Sequence, residues 1–154
     1  MGEKRNKTGQ LVELATFFVG EALCGMEIRQ IQEVNKLSLM TRVPQAPDDV
    51  LGILNLRGQI VTIIDLARRL GLGTAEMTPQ ARIVIVNFAG GKVGLFVKQI
   101  SDVVAVDLRN KESAPANIRG IQGRYFSGVY KEENNLIGLL DFDRVLSSEV
   151  APLV

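Results

Sequence analysis

The sequence carries the same series of residue patterns twice, which limits the folds that it can adopt. The matching blocks, first copy against second, are 24–34 with 93–103, 52–53 with 128–129, and 65–70 with 141–146. The match of Gly25 with Gly94 sets a first repeat offset, and the match of Asp65 with Asp141 sets a second, longer one. The second copy therefore contains seven extra residues between Val103 and Gly128, an interval that includes the polar, turn-rich stretch 110–123. Chance similarity between two β-rich halves is the alternative, but the preserved order of the blocks favours a duplicated fold.

The segments within each copy predict short β-strands and brief helical turns. Runs rich in Val, Ile and Leu, each a strand candidate, occupy residues 11–19, 22–28, 59–64, 82–88, 92–97, 103–106 and 136–140. The glycine pair 90–91 and the asparagine pair 134–135 suit tight hairpins, because both residue types tolerate a positive φ. A copy of about 65–75 residues would bury too little surface for a secure core of its own. We therefore expect a mainly β fold of two small β-barrels that pack together and leave a groove along their junction.

Composition removes several classes of function. The 154 residues include no His and a single cysteine, Cys24, which excludes a histidine triad, a histidine metal site, a zinc knuckle and a disulfide framework. A net charge of +1 and an aromatic content of 5% argue against a nucleic-acid footprint. No apolar run approaches the roughly 18 residues of a membrane-spanning helix, and no leader peptide is visible. We therefore expect an intracellular protein, consistent with a reducing cytoplasm, for which catalysis is not the first function to consider.

Two sets of polar residues are candidates for chemistry. The repeat pairs Asp65 with Asp141, which is compatible with a carboxylate dyad. Each precedes a bulky apolar residue and a helical turn, however, so capping of that turn is the better interpretation. Arg57 lies in Asn55-Leu56-Arg57-Gly58 between two apolar runs and should project from a tight turn. It is either a solvated turn residue or a planar, multidentate contact to a partner or to a carboxylate such as Glu33.

Apolar residues at equivalent positions of the two copies are candidates for lining the groove. A duplicated fold places such residues on opposite sides of a pseudo-twofold axis, as for Ile31 and Ile100, or for Ile28 and Val97. An apolar groove lined from both copies suits a partner helix.

The motifs taken together resemble the CheW family. The residues that carry the resemblance are VPQAP at 43–47, VLGILNLRGQIV at 50–61, IDL at 64–66, VGLFV at 93–97, SDVV at 101–104, SGV at 127–129 and LLD at 139–141. The similarity spans about residues 11–147 and implies two tandem, pseudo-symmetric, five-stranded Src-homology-3-like (SH3-like) β-barrels. The first barrel is expected mainly within 20–75, and the second mainly within 80–147 together with the N-terminal strand. Residues 1–10 and 148–154 are expected to be flexible tails.

The resemblance also implies a function. CheW proteins are non-enzymatic adaptors that couple chemoreceptors to the histidine kinase CheA, in the cytoplasm at membrane-associated receptor arrays. The residues that match the family's receptor-binding positions are Ile28, Ile31, Glu33, Val34, Arg57 and Ile100. Those that match positions contacting the regulatory domain of the kinase are Met40, Val43 and Leu54. The implied partners are thus the CheA regulatory domain and the cytoplasmic tip of chemoreceptors, with no nucleic acid, cofactor, metal or membrane insertion.

Other functions remain as alternatives. A CheW-like scaffold for a receptor–kinase pathway that controls something other than motility would carry the same motifs. CheW-like domains also occur inside CheA and in fusions with receiver domains. A small-barrel enzyme or nucleic-acid binder is the alternative from another class, and the absence of His, the lone cysteine and the near-zero net charge disfavour it.

Overall fold

Residues 11–37 and 40–147, which the computed structural model describes, form short strands joined by tight turns. The strands are β1 (Leu11–Val19), β2 (Ala22–Glu27), β3 (Ile31–Lys36), β4 (Val50–Leu56), β5 (Gln59–Asp65), β6 (Arg82–Phe88), β7 (Gly91–Val97), β8 (Gln99–Asp107), β9 (Asn117–Ile118), β10 (Ile121–Gln122), β11 (Phe126–Glu132) and β12 (Asn135–Leu140). One-turn helices α1 (Leu66–Arg69) and α2 (Phe142–Val145) follow β5 and β12. Three-residue 3₁₀ turns occupy Ile28–Gln30, Leu108–Asn110 and Gly123–Tyr125. The tails expected at 1–10 and 148–154 lie outside the described residues.

Ten of these strands form two five-stranded sheets with the same order. The first barrel has the order β3-β6-β7-β5-β4, and the second barrel has the order β8-β1-β2-β12-β11. In each barrel one internal pair is parallel, β5 with β7 and β12 with β2, and the other pairs are antiparallel. The predicted fold class, two tandem pseudo-symmetric five-stranded SH3-like barrels, is confirmed.

The strand registers reproduce the sequence repeat. Ile63 of β5 lies opposite Gly94 of β7, and Leu139 of β12 lies opposite Gly25 of β2. The first pair maps onto the second by the same two offsets that the sequence repeat shows. The small hairpin β9–β10 has no counterpart among the described residues of the first copy, and it lies inside the polar stretch 110–123.

The barrels do not follow the predicted boundaries along the chain. Strand β2, within the range 20–75 assigned to the first barrel, lies in the second barrel, while β6 and β7, within 80–147, lie in the first. The cause is the short connection after β2 and after β7, which sends the chain to the opposite sheet each time. Each barrel therefore takes its first hairpin from one sequence copy and its remaining three strands from the other.

Three apolar clusters fill the molecule. Ile63, Ile83 and Phe96 lie in the interior of the first barrel, and Leu14 and Tyr130 lie in the interior of the second. The largest cluster, called here the junction core, draws on both barrels and both helices, with Phe17, Met26, Ile64, Leu66, Leu95, Phe126 and Val145 among its members. Burial between the barrels thus supplies the core that one small barrel lacks.

The two aspartates at the helix starts are caps. The Asp65 carboxylate accepts a hydrogen bond from the Arg68 backbone N–H at 3.3 Å, and the Asp141 carboxylate accepts the equivalent bond from Arg144 at 3.3 Å. Asp65 is fully buried and also accepts from the Ala75 backbone N–H at 3.0 Å. These bonds confirm capping and leave the two carboxylates engaged at separate helix starts.

Candidate functional site

The Asn55–Gly58 segment is a two-residue hairpin turn that projects Arg57. Strand β4 ends at Leu56, which pairs with Gln59 of β5, so Arg57 and Gly58 alone form the loop. Both have a positive φ, 50° and 86°, and the Asn55 side chain accepts from the Gly58 backbone N–H at 2.9 Å. Such left-handed pairs give the turn a twist that matches the twist of the flanking strands. The turn leaves the Arg57 side chain largely exposed.

Arg57 forms an ion pair with Glu33 across the open side of the first barrel. The Arg57 Nη2 donates to the Glu33 Oε2, which joins two side chains 24 residues apart. Glu33 lies on β3 and Arg57 follows β4, and these strands are the two edges of the sheet. The structure therefore brings together the two residues that sequence reasoning paired only as an option. Arg57 is largely exposed and Glu33 only partly so, which leaves guanidinium donors free to meet a partner.

The apolar receptor-site candidates lie on β3, β8 and the turn before β3. Ile31 opens β3 opposite Val86, and Ile100 lies in the equivalent position of β8 opposite Phe17. Both are partly buried and pack against the junction core. Ile28 and Val34 keep 41% and 43% of their side chains exposed, on either side of Ile31 along the chain.

The equivalence of the two copies is incomplete at this surface. Val97, the counterpart of Ile28, is only 1% exposed, so the apolar turn residue is available on one side alone. Val103, the counterpart of Val34, is 52% exposed and was not among the predicted site residues. The first repeat offset, which also relates Ile31 to Ile100, was the signal that would have found it. Val34 and Val103 are therefore exposed apolar residues at equivalent positions of β3 and β8, the strands that also carry Ile31 and Ile100.

The kinase-site candidates lie along the outer edge of β4. Thr41 exchanges two backbone hydrogen bonds with Ile53, at 2.9 and 2.8 Å, so the segment that carries Met40 and Val43 runs beside this strand. Val43 lines a cavity of about 310 Å³ together with Pro47, Val50 and Leu51. Met40 is partly buried against the interior of the first barrel.

Leu54 occupies a different environment. Its side chain is 7% exposed and lies in the interior of the first barrel. Leu54 can therefore support the shape of the β4 edge but offers little surface to a partner.

The buried Cys24 has an unreactive thiol. Burial raises the pKa of the Cys24 thiol to about 12, so the thiol carries its proton at neutral pH. Among residues 11–37 and 40–147, no group of three or more His, Cys, Asp or Glu side chains is arranged to hold a metal ion. Within the same ranges, no helix is long and apolar enough to cross a membrane.

Known proteins resemble this chain over most of its length. The CheW-like domain family matches residues 13–150. Chemotaxis protein CheW of Bacillus subtilis is 32% identical over 143 residues, covering 93% of this chain and 90% of that protein. Chemotaxis protein CheW of Treponema pallidum is 33% identical, covering 89% of this chain and 83% of its own length. The crystal structure of the scaffolding protein TtCheW from Thermoanaerobacter tengcongensis superposes with a TM-score of 0.82 at 29% identity, and the match covers 92% of both chains. The duplicated barrels, the turn that presents Arg57 and these matches lead to one conclusion: the chain belongs to the CheW family of chemotaxis scaffold proteins.

Proposed function

We propose that this protein is a non-enzymatic coupling protein that joins the cytoplasmic tip of chemoreceptors to the histidine kinase CheA. Membership of the CheW family supports the role, because its members named above are chemotaxis and scaffolding proteins. The observation that carries the proposal is that Ile28 and Val34 are exposed on the segment that also carries Glu33 of the Glu33–Arg57 ion pair, while Val103 is exposed at the position equivalent to Val34 in the second barrel. Apolar side chains next to a charged pair with free donors suit a helical partner that presents both apolar and acidic groups.

The receptor surface combines a strip of apolar residues with a polar anchor. Ile31 and Ile100 approach it from the two barrels, so one bound helix would contact both barrels at once. Burial of Ile28, Val34 and Val103 would supply the apolar free energy of binding. Arg57 would add directional hydrogen bonds, since its guanidinium is held in place by Glu33. Binding of the receptor tip would therefore depend on how the two barrels are positioned relative to each other.

The kinase surface is a separate region on the first barrel. Val43, Pro47, Val50 and Leu51 line one part of the 310 Å³ cavity, and charged side chains that include Arg42, Asp48 and Arg68 line the rest, so the cavity offers a partner both apolar and charged groups. We expect the CheA regulatory domain to dock there. Leu54, which is buried in the interior of the first barrel, would support the shape of the β4 edge. Binding of both partners by one small protein raises the effective concentration of kinase at the receptors, and the protein would thereby be recruited to membrane-associated arrays.

Calorimetric titration with the CheA regulatory domain of the same organism tests the kinase half of the proposal. We expect saturable one-to-one binding that Val43→Asp abolishes. Met77→Asp is the matched control, because Met77 is exposed and lies in the connection between α1 and β6. Absence of binding at high micromolar concentration would reject CheA as the partner and favour a CheW-like scaffold for a different receptor–kinase pathway.

Titration with a soluble cytoplasmic fragment of a chemoreceptor tests the receptor half. Ile28→Asp should weaken binding by about 2–4 kcal/mol, as for an interface hot spot, without a loss of stability, because Ile28 is exposed. Ile31→Asp and Ile100→Asp should weaken binding similarly, but both residues touch the junction core, so their thermal unfolding must be measured alongside. Undiminished binding by Ile28→Asp would remove this surface from the proposal.

A further inference from the structure

A nearly buried ion pair lies where the two barrels meet. Arg69, the last residue of α1, donates from Nη1 to the Asp49 Oδ2 at 2.7 Å and from Nε to the backbone oxygen of Val145 at 2.8 Å. The side chains of Arg69 and Asp49 are only 10% and 12% exposed. Val145 is the last residue of α2, in the other sequence copy. One guanidinium therefore connects the loop before β4, helix α1 and helix α2.

The connection crosses the pseudo-twofold axis and occurs in one direction only. Arg69 and Val145 are themselves equivalent residues of the two copies, related by the second repeat offset that also relates Asp65 to Asp141. An apolar Val145 cannot return the contact, and the counterpart of Asp49 by the same offset is Tyr125. Among the described residues, the polar link at this point therefore runs from the first copy to the second and is not repeated in reverse, because the residues that build it differ between the copies.

Asp49 anchors the loop that carries the kinase-site candidates. The backbone oxygen of Asp49 accepts from the Asp65 N–H at 2.8 Å, and its carboxylate holds Arg69. At the other end of the loop, Thr41 is bonded to Ile53 of β4. Val43 lies between these two anchors. The position of the loop relative to the second barrel is therefore set through Asp49 and Arg69.

The ion pair is one hydrogen bond short of its strongest form. Asp49 Oδ1 and Arg69 Nη2 are buried and have no partner among the described residues. A bidentate pair, in which both guanidinium nitrogens meet both carboxylate oxygens, would satisfy the two atoms together. A small movement of the 41–49 loop towards α1 would form it. The bidentate pair would then be a second arrangement of the link, and an element that transmits a signal requires two.

The neighbouring pair has none of these properties. Arg68 and Asp48 are the adjacent residues of the same helix and the same loop, but their closest approach is 3.5 Å and both are exposed. Arg68 has no bond to α2 among the described residues and instead donates to the Thr74 hydroxyl. Arg68 is therefore a matched control for Arg69, because it precedes Arg69 on α1 and its acidic neighbour Asp48 precedes Asp49 in the loop.

We propose that Arg69 is a positioning residue that couples the barrel junction to the kinase-facing loop. A receptor helix that contacts both barrels would shift α2 relative to α1, and Arg69 would pass this shift to Asp49 and hence to Val43. The inference rests on the proposed function for its two partners. The mechanical link itself is a property of the free protein and is tested separately.

Hydrogen exchange of the free protein tests the link without any partner. Arg69→Met keeps the apolar stem and removes both hydrogen bonds, so amides of the 41–49 loop and of the end of α2 should exchange faster together. Arg68→Met should leave both segments as they are. Unchanged exchange in either segment of Arg69→Met would overturn the inference, whether or not the proposed partners bind.

The coupling is measured as the ratio of the dissociation constants for the CheA regulatory domain without and with saturating receptor fragment. We expect the wild type to show a ratio that differs from one by about fivefold or more, the lower end of ordinary allosteric coupling. Arg69→Met should bring the ratio close to one while each partner alone still binds. Arg68 lines the proposed kinase cavity, so Arg68→Met is expected to change the dissociation constants with and without receptor fragment by the same factor and to keep the wild-type ratio. A wild-type ratio in Arg69→Met, or a ratio of one in the wild type, would overturn the inference.

Asp49→Asn provides a second variant that keeps the shape of the site. The amide oxygen can still accept from Arg69, but the amide nitrogen cannot accept a second bond, so the bidentate arrangement is forbidden. Hydrogen exchange of the free variant should stay near wild type while the coupling ratio falls. Retention of the full ratio would show that the second arrangement plays no part. Failure of the wild type to bind either partner would reject the proposed function and leave the exchange result to decide on the link.

Discussion

The two barrels share a strand order but differ at one pair of equivalent hairpin turns. In the first barrel the β4–β5 turn is Arg57-Gly58, and the equivalent β11–β12 turn of the second barrel is Glu133-Asn134. Arg57 and Glu133 adopt the same left-handed conformation, with φ of 50° and 45°. Glu33 on β3 is matched by Asp102 on β8. An arginine thus faces an acid in one barrel, whereas two acids occupy those positions in the other.

The comparison shows that the two copies keep the backbone conformation of the turn but differ in its charge. The left-handed conformation is kept at the first residue of both turns, because it matches the twist of the strands that a two-residue hairpin joins. Charge is free to change, since the turn side chains are exposed and contribute little to stability. In the first barrel an ion pair closes the open side, whereas the two acids at the equivalent positions of the second barrel cannot form one.

The largest effect should come from the feature that the barrels share, their exchanged hairpins. Ile83→Ala in the first barrel and Leu14→Ala in the second should each lower the free energy of unfolding by about 2–5 kcal/mol, because both side chains are fully buried. Since each barrel borrows a hairpin from the other copy, we expect one cooperative transition in both variants. Denaturant titration followed by amide exchange in both barrels measures this. Persistence of one barrel after the other has unfolded would contradict the interlocked arrangement, and Ile60→Ala, at an exposed position, serves as the neutral control.

The next effect concerns alkaline pH and a position where the copies differ. Cys24 is matched by Val93, and burial raises the pKa of the Cys24 thiol from 9.0 to about 12. The unfolded chain therefore loses this proton near pH 9, whereas the folded chain holds it until about pH 12. Stability from this group is complete below pH 9 and falls by about 4 kcal/mol as the pH rises to 12, at 1.36 kcal/mol per pKa unit. Cys24→Val, which installs the residue of the second copy, should flatten this part of the stability–pH profile, and an unchanged slope would assign it to other groups.

A smaller and equal pair of effects is expected at two equivalent glycines. A Cβ on Gly52 would lie 2.6 Å from the Thr41 backbone oxygen, and one on Gly128 would lie 2.8 Å from the Glu112 backbone oxygen. Alanine at either position should cost about 1–3 kcal/mol by forcing these backbones apart. Thermal unfolding of the two variants measures it, with Gly91→Ala as the control, where the nearest atom is 4.0 Å away. A clear difference between Gly52→Ala and Gly128→Ala would show that the two barrels do not share this close approach.

The smallest effect on stability should come from the turn itself. Arg57→Glu gives the first barrel the acid of the second and breaks an exposed ion pair, which should cost less than about 1 kcal/mol of folding free energy. Binding of the receptor fragment should fall far more than stability does. Glu133→Arg is the control, because it adds an arginine to the second barrel without a described role at the receptor surface. Normal receptor binding by Arg57→Glu would assign Arg57 to the solvated turn.

The sequence anticipated the features that depend on local patterns or on the repeat. The repeat correctly predicted two equivalent β-barrels, and the acidic residues before α1 and α2 were correctly interpreted as caps. The exchange of hairpins was not predictable, because a repeat shows which strands are equivalent and not which copy they pair with. Strand β3 was not predicted, because its alternating polar residues give no apolar run, and β4 was not predicted, because Gly52 and Asn55 interrupt it.

Contacts between distant segments account for the remaining differences. Glu33 and Arg57 meet only because the sheet curves until its two edge strands approach each other, which no local pattern encodes. Arg69 has the composition of a solvated helical turn, yet it lies buried against Val145 because the two helices meet at the junction. Val103 was overlooked although the repeat pointed to it directly from Val34.

The exchanged hairpins also govern the order in which the molecule can be completed during synthesis. When the ribosome has released α1, the chain has β3, β4 and β5 of the first barrel but not its central strands β6 and β7. It also has β1 and β2 of the second barrel, which still lacks β8, β11 and β12. Neither half of the chain contains a whole barrel, so a nascent first half displays sheet edges with no partner from its own copy. The arrangement is equivalent to a strand-swapped homodimer whose two subunits are joined in one polypeptide. If the two halves were synthesised separately, they would have to associate before either barrel could fold.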